Sequence, residues 1–176
     1  MEQLSRLAEL INDRNKIAAT IAKIIGRPAE KCYVGEYIAA EIFSIELEKS
    51  ASCKGYDGHF IEGSLSGRTV NIKFYSKNER ILDINPDGIP DYYLVLSGPK
   101  TKAALSRGST RPWVIKNVFL FEGPSLVEEL QQRGVKIGTA SSIKRNYWKL
   151  AEIYPKQENK QLYVSKEQKN RLMLFS

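Results

Sequence analysis

Residues 54–75 read KGYDGHFIEGSLSGRTVNIKFY, and their reading decides the architecture. Lys54-Gly55-Tyr56-Asp57-Gly58 interrupts the helical pattern before it. His59 to Glu62 then reads as a short strand, Gly63-Ser64-Leu65-Ser66-Gly67 as a turn, and Arg68 to Tyr75 as a second strand. That second strand alternates, with Val70, Ile72 and Phe74 to one side and Asn71, Lys73 and Tyr75 to the other. An amide and an amine are therefore neighbours on one face of a sheet. Asp57 lies 14 residues before Asn71, and a hairpin of this length brings its carboxylate beside them.

Upstream, residues 3–25 recur at helical spacing through Leu4, Leu7, Ala8, Ile11, Ile17, Ile21, Ile24 and Ile25, and Gly26 closes the helix. A second helix is expected from Pro28 to about Leu47. Its stripe Glu36, Ala39, Ala40, Phe43, Leu47 puts an acid in register with the face that packs on the sheet. A buried carboxylate needs a cation, a metal or a hydrogen-bond donor, so Glu36 joins Asp57, Asn71 and Lys73 as a candidate.

Downstream, Ile89–Ser97 and Val114–Phe121 read as buried strands, Pro124–Arg133 as a short helix, and Ser142–Ile153 as another. A short strand near Gln161–Val164 and a helix capped by Ser165 and Gln168 end the chain. Helices, then strands, then helices again predict a single α/β domain over 1–176, a mixed central sheet flanked by helices on both faces.

Composition narrows the chemistry. With one histidine (His59) and two cysteines (Cys32, Cys53), neither a His/Cys zinc site nor a disulfide framework is expected, and any metal must sit among oxygen ligands. The cysteine usage, the mixed-charge N-terminus and the absence of an apolar run of about 18 residues point to a cytoplasmic protein with no membrane span.

The net charge of +7 is unevenly spread: residues 134–176 carry nine Lys/Arg against three Glu. Lys144, Arg145 and Lys149 lie there among Tyr147, Trp148, Tyr154 and Tyr163. Lys100, Lys102, Arg107 and Arg111 form a second cluster in a stretch without acids. Basic patches interleaved with aromatics suit nucleic acid, although a solvated surface has the same composition.

Taken together, Gly35-Glu36-Tyr37-Ile38-Ala39-Ala40, then Lys54-Gly55-Tyr56-Asp57, then Val70-Asn71-Ile72-Lys73 resemble the core of PD-(D/E)xK nucleases. The resemblance is to small bacterial domains with a GE…KGYD…QIK pattern and covers roughly residues 1–100, the basic 101–176 being similar only in character. It implies a restriction-endonuclease-like core and a Mg²⁺ (or Mn²⁺) site with Asp57 as main ligand, Glu36 as the helix acid and Lys73 positioning water. Asn71 stands at the position of the second strand-borne ligand. The resemblance further implies action on DNA in restriction, defence or repair. Asn71 is a departure, because an amide oxygen ligates a hard cation without adding charge and the metal is then weakly held. A catalytically weak or inactive nucleic-acid-binding or protein-interaction module is the alternative, and a homodimer or a partner subunit is compatible with either. Lys73 facing acids also fits a structural ion pair.

Overall fold

The computed structural model describes residues 2–49, 55–99 and 112–176. In chain order the elements are α1 (Glu2–Ile25), α2 (Lys31–Phe43), β1 (Ile45–Leu47), β2 (Gly58–Phe60), a 3₁₀ turn (Gly63–Leu65), β3 (Thr69–Tyr75) and β4 (Ile81–Leu82). There follow β5 (Tyr92–Ser97), β6 (Asn117–Glu122), α3 (Gly123–Gln132), β7 (Ser141–Ser142), α4 (Arg145–Ala151), β8 (Glu152–Tyr154) and α5 (Lys166–Met173). Six strands form one mixed sheet in the order β1-β2-β3-β5-β6-β8, parallel at β3–β5 and antiparallel elsewhere. The chain is thus α/β, with helices on both faces.

The alternation in β3 determines what covers each face. Val70, Ile72 and Phe74 are buried against Ile38, Ala39, Ile42 and Phe43 of α2, and Leu172 of α5 closes the same cluster. On the opposite face Tyr93, Val95, Phe119 and Phe121 are buried under Leu126 and Leu130 of α3 and Trp148 of α4. The Trp148 ring stands edge-on to Phe119 and Phe121, with centroids 4.7 and 4.9 Å away. Gly35 permits the close seating of α2: a Cβ there would lie 2.5 Å from Cβ of Phe74.

Four expectations need correction. The second helix begins at Lys31 and ends at Phe43, because Ser44 turns left-handed (φ 53°) and Ile45–Leu47 pair with β2 as an edge strand. Its buried stripe is Gly35, Ile38, Ala39, Ile42, Phe43, so Glu36 flanks the packed face rather than leading it. Gln161–Val164 is no strand: the side chain of Gln157 donates to the Leu162 carbonyl and accepts from Val164 N–H, replacing a neighbouring strand. The helix expected over Ser142–Ile153 is shorter, since Ser141–Ser142 pair with β4 and Glu152–Tyr154 join the main sheet at β6. The Ser165/Gln168 capping box is present as expected, with both reciprocal bonds made. No helix among the described residues is long and apolar enough to cross a membrane.

Candidate functional site

The site lies where β2 parts from β3. Pairing between them covers only Gly58↔Val70 and His59↔Thr69, followed by a last backbone bond from Asp57 N–H to the Val70 carbonyl. Beyond Val70, no strand among the described residues continues on that side of β3. The next donor on this open edge, Ile72 N–H, is taken by the Asp57 carboxylate at 2.6 Å. Asp57 is thereby fixed beside the residue flanked in sequence by Asn71 and Lys73.

Asn71 is held from the other direction. Its Nδ2 donates to the Gly55 carbonyl at 3.3 Å. Gly55 has φ +93° and packs so tightly on Gly88 that a Cβ would collide with the Gly88 carbonyl, so glycine is required there. The amide's other end is unsatisfied: Oδ1 is buried and accepts no hydrogen bond among the described residues. A buried acceptor left empty costs about 1–3 kcal/mol unless something supplies a donor or a positive charge.

Glu36 reaches the same place from α2, and with it comes a residue the sequence reading did not single out. Arg27, in the α1–α2 connection, donates to the Glu36 carboxylate at 2.9 Å and to the Glu48 carbonyl at 2.7 Å, its guanidinium 5.6 Å from the centre of the Tyr33 ring. The Glu36 side chain is only 12% exposed. Burial, reinforced by the nearby Asp57 charge and opposed by Arg27 and Lys73, pushes its carboxyl up to about 7. Burial also raises Asp57, against the Ile72 N–H, Lys73 and Arg27, which hold it down. Each of the two acids therefore feels both cations. Asp57, Glu36, Lys73, Asn71 and Arg27 form one electrostatic cluster, assembled from both faces of the sheet around an open strand edge.

A divalent cation fits this donor set in kind. Asp57, the orphaned Asn71 Oδ1 and Glu36 are all oxygen donors, and a positive charge there would relieve both raised carboxyls. The charge is thin, however: no group of three or more Asp, Glu, His or Cys with metal-holding geometry occurs among the described residues. Glu62, a further acid, is turned away from the site and accepts from Ser44 Oγ at the far end of the β2–β3 hairpin. His59 faces Glu46 and Glu48.

Compared with known proteins, the chain matches no family model and no curated relative.

The basic residues separate. Lys144 is directed at Glu129, 3.8 Å away. Arg145 and Lys149 instead line a groove of about 880 Å³ together with Arg80 and Lys156, above Phe119 and Trp148. None of these four cations has a carboxylate within 4 Å among the described residues, although Glu152 and Glu158 are on the groove wall. The Trp148 Nε1–H there is buried and donates to nothing among the described residues. The groove opens on the same sheet face as Lys73, since Lys73, Val95 and Phe119 lie in one row across β3, β5 and β6. Lys100, Lys102, Arg107 and Arg111 lie outside the described residues.

Proposed function

We propose that this chain is a divalent-metal-dependent nuclease of restriction-endonuclease-like type that acts on DNA in the cytoplasm, in restriction, defence or repair. The observation carrying this reading is the convergence of Asp57, Asn71 Oδ1, Glu36 and Lys73 at the edge where β2 leaves β3. Mg²⁺ or Mn²⁺ held by Asp57, Asn71 and Glu36 would supply charge for a phosphate and a more acidic water. The remaining work falls to the chain's own residues. Lys73, a donor in its ammonium form, orients the attacking water and offsets phosphate charge. Asp57 is pinned by the Ile72 N–H, so its free lone pairs point one way. Arg80, Arg145, Lys149 and Lys156 offer the nucleic-acid backbone a sequence-independent track on the Lys73 face.

One observation favours a second reading, a binding module with little or no activity. Arg27 already neutralises Glu36, and Asn71 brings no charge, so the cluster approaches neutrality without a metal. The two readings separate in a cleavage assay on plasmid and linear DNA with Mg²⁺ or Mn²⁺. Cleavage that disappears in Asp57→Ala and in Lys73→Ala supports the nuclease. Metal-independent DNA binding without cleavage, unchanged in both variants, supports the module.

A further inference from the structure

Among the described residues, the longest helix, α1, has nothing packed on most of it. Along α1 no residue is buried, and Leu4, Leu7, Leu10, Ile11, Ile17 and Ile24 are between 47% and 71% exposed. Helices owe most of their stability in water to packing of an apolar face, so a 24-residue helix carrying such a stripe is incomplete alone. The six side chains leave roughly 600 Å² of apolar surface open, at the upper end of the largest patch a monomer usually shows.

The arrangement of the stripe indicates its occupant. Counted from Arg14, apolar residues stand at −10, −7, −4 and −3 (Leu4, Leu7, Leu10, Ile11) and at +3, +4, +7 and +10 (Ile17, Ala18, Ile21, Ile24). Leu4 and Ile24, Leu7 and Ile21, and Ile11 and Ile17 are therefore equidistant from Arg14, while Ala8, Ala22 and Ile25 have no apolar counterpart. In a two-fold contact about Arg14 each of these paired large apolar residues would meet another, residue i of one copy against j of the second and j against i. Charge agrees with that direction. The first half, Glu2 to Asp13, holds Glu2, Glu9 and Asp13 against Arg6, whereas the second holds Arg14, Lys16 and Lys23 and no acid. Antiparallel pairing sets acidic half against basic half, and parallel pairing would set like against like. Leu4 of the second copy would arrive beside Ile24, at the rim of an apolar hollow of about 570 Å³ lined by Ile21, Ile25, Trp113, Leu174 and Phe175. Leu174 and Trp113 are themselves 79% and 43% exposed. With them the covered area approaches the roughly 800 Å² per partner of a standard interface.

We infer that the chain forms a homodimer through antiparallel pairing of its α1 helices, with the two-fold axis passing near Arg14. This inference is independent of the nuclease reading. Arg14 is the one charge in the middle of the seam, and the two copies bring it together, so the native dimer is weakened at its centre.

The test is sedimentation equilibrium on the full chain over a range of concentrations, joined to cysteine cross-linking in a Cys32→Ser, Cys53→Ser background. The native chain should sediment at twice its 20.0 kDa mass. Leu7→Glu, at an exposed position, should give monomer with an unchanged melting profile of the α/β body, and Arg14→Leu should tighten the dimer about tenfold. When Leu4→Cys and Ile24→Cys chains carrying different tags are mixed, the disulfide should join position 4 to position 24. A monomer at every concentration overturns the inference. So does a dimer that Leu7→Glu leaves intact, or a preference for 4–4 and 24–24 cross-links.

Discussion

The Asp57 carboxylate accepts the Ile72 N–H at 2.6 Å where β2 has already ended, so an acid side chain takes the place of the next strand residue. This bond stops β3 from presenting a bare donor at its edge and fixes the acid between Asn71 and Lys73. Asp57→Asn keeps the shape but removes the charge, so metal binding should be lost while the fold persists. Asp57→Ala should lose both metal binding and about 1–3 kcal/mol of stability, because the Ile72 donor is then left empty. Chemical denaturation and calorimetric titration with Mn²⁺ on the two variants check this.

Asn71 is the position at which the site falls short of charge. Asn71→Glu should raise apparent Mg²⁺ affinity about tenfold or more by adding an anionic ligand. Without metal the same variant should be less stable than the native chain, having exchanged the donor to the Gly55 carbonyl for another acceptor. Thermal melts with and without Mg²⁺ should therefore diverge more for the variant than for the native protein.

Arg27 and a divalent cation compete for the same carboxylate. Arg27→Ala removes the 2.9 Å contact with Glu36 and the bond to the Glu48 carbonyl, and should cost about 1–3 kcal/mol in metal-free buffer. In millimolar Mg²⁺ part of this loss should return, since the metal replaces the missing positive charge. Equal losses in both buffers would make Glu36 a purely structural partner of Arg27.

Glu36 gives the site a pH dependence near neutrality. Burial pushes its carboxyl from an ordinary 4.5 up to about 7 in the fold, so the folded chain binds the proton more tightly than the unfolded one. The group's contribution to stability is then full below about 4.5 and is lost as pH rises through about 7. Metal affinity runs the other way, rising with pH through the same range as the ligand ionises. In Glu36→Gln both slopes should flatten, as followed by unfolding curves and Mn²⁺ titrations between pH 5 and about 8.5.

Much of this was legible in the sequence, for physical reasons that differ by residue. The period-two pattern over Val70–Phe74 fixed which side chains share a face, and the position of Asp57 ahead of a hairpin fixed which strand end it reaches. Arg27 could not be found this way: it lies in a connection without periodicity, and only the fold brings it to a helix residue nine positions on. The split among Lys144, Arg145 and Lys149 was equally hidden, because the cap and first turns of a short helix point to Glu129 or to the groove according to how α4 docks through Trp148 on Phe119 and Phe121. Ile45–Leu47 misread as helix because three apolar and acidic residues continue the preceding pattern, and only the left-handed Ser44 ends it.

The groove makes a separable prediction. Replacing Arg80, Arg145, Lys149 and Lys156 by Gln or Ala should weaken DNA binding at all sequences alike, lowering the log–log salt slope by about one for each lost phosphate contact. Lys144→Ala, whose amine is directed at Glu129, should leave the slope nearly unchanged. Filter-binding or anisotropy titrations over a range of salt concentrations measure both.

The most direct measurement is a crystal of the full chain soaked in Mn²⁺ and examined for anomalous scattering. A peak about 2.0–2.6 Å from an Asp57 carboxylate oxygen and Asn71 Oδ1, absent from Asp57→Ala crystals, is the predicted result. A site without a peak, in which Lys73 bonds the Asp57 carboxylate directly and an ordered water fills Asn71 Oδ1, would contradict the metal-dependent account.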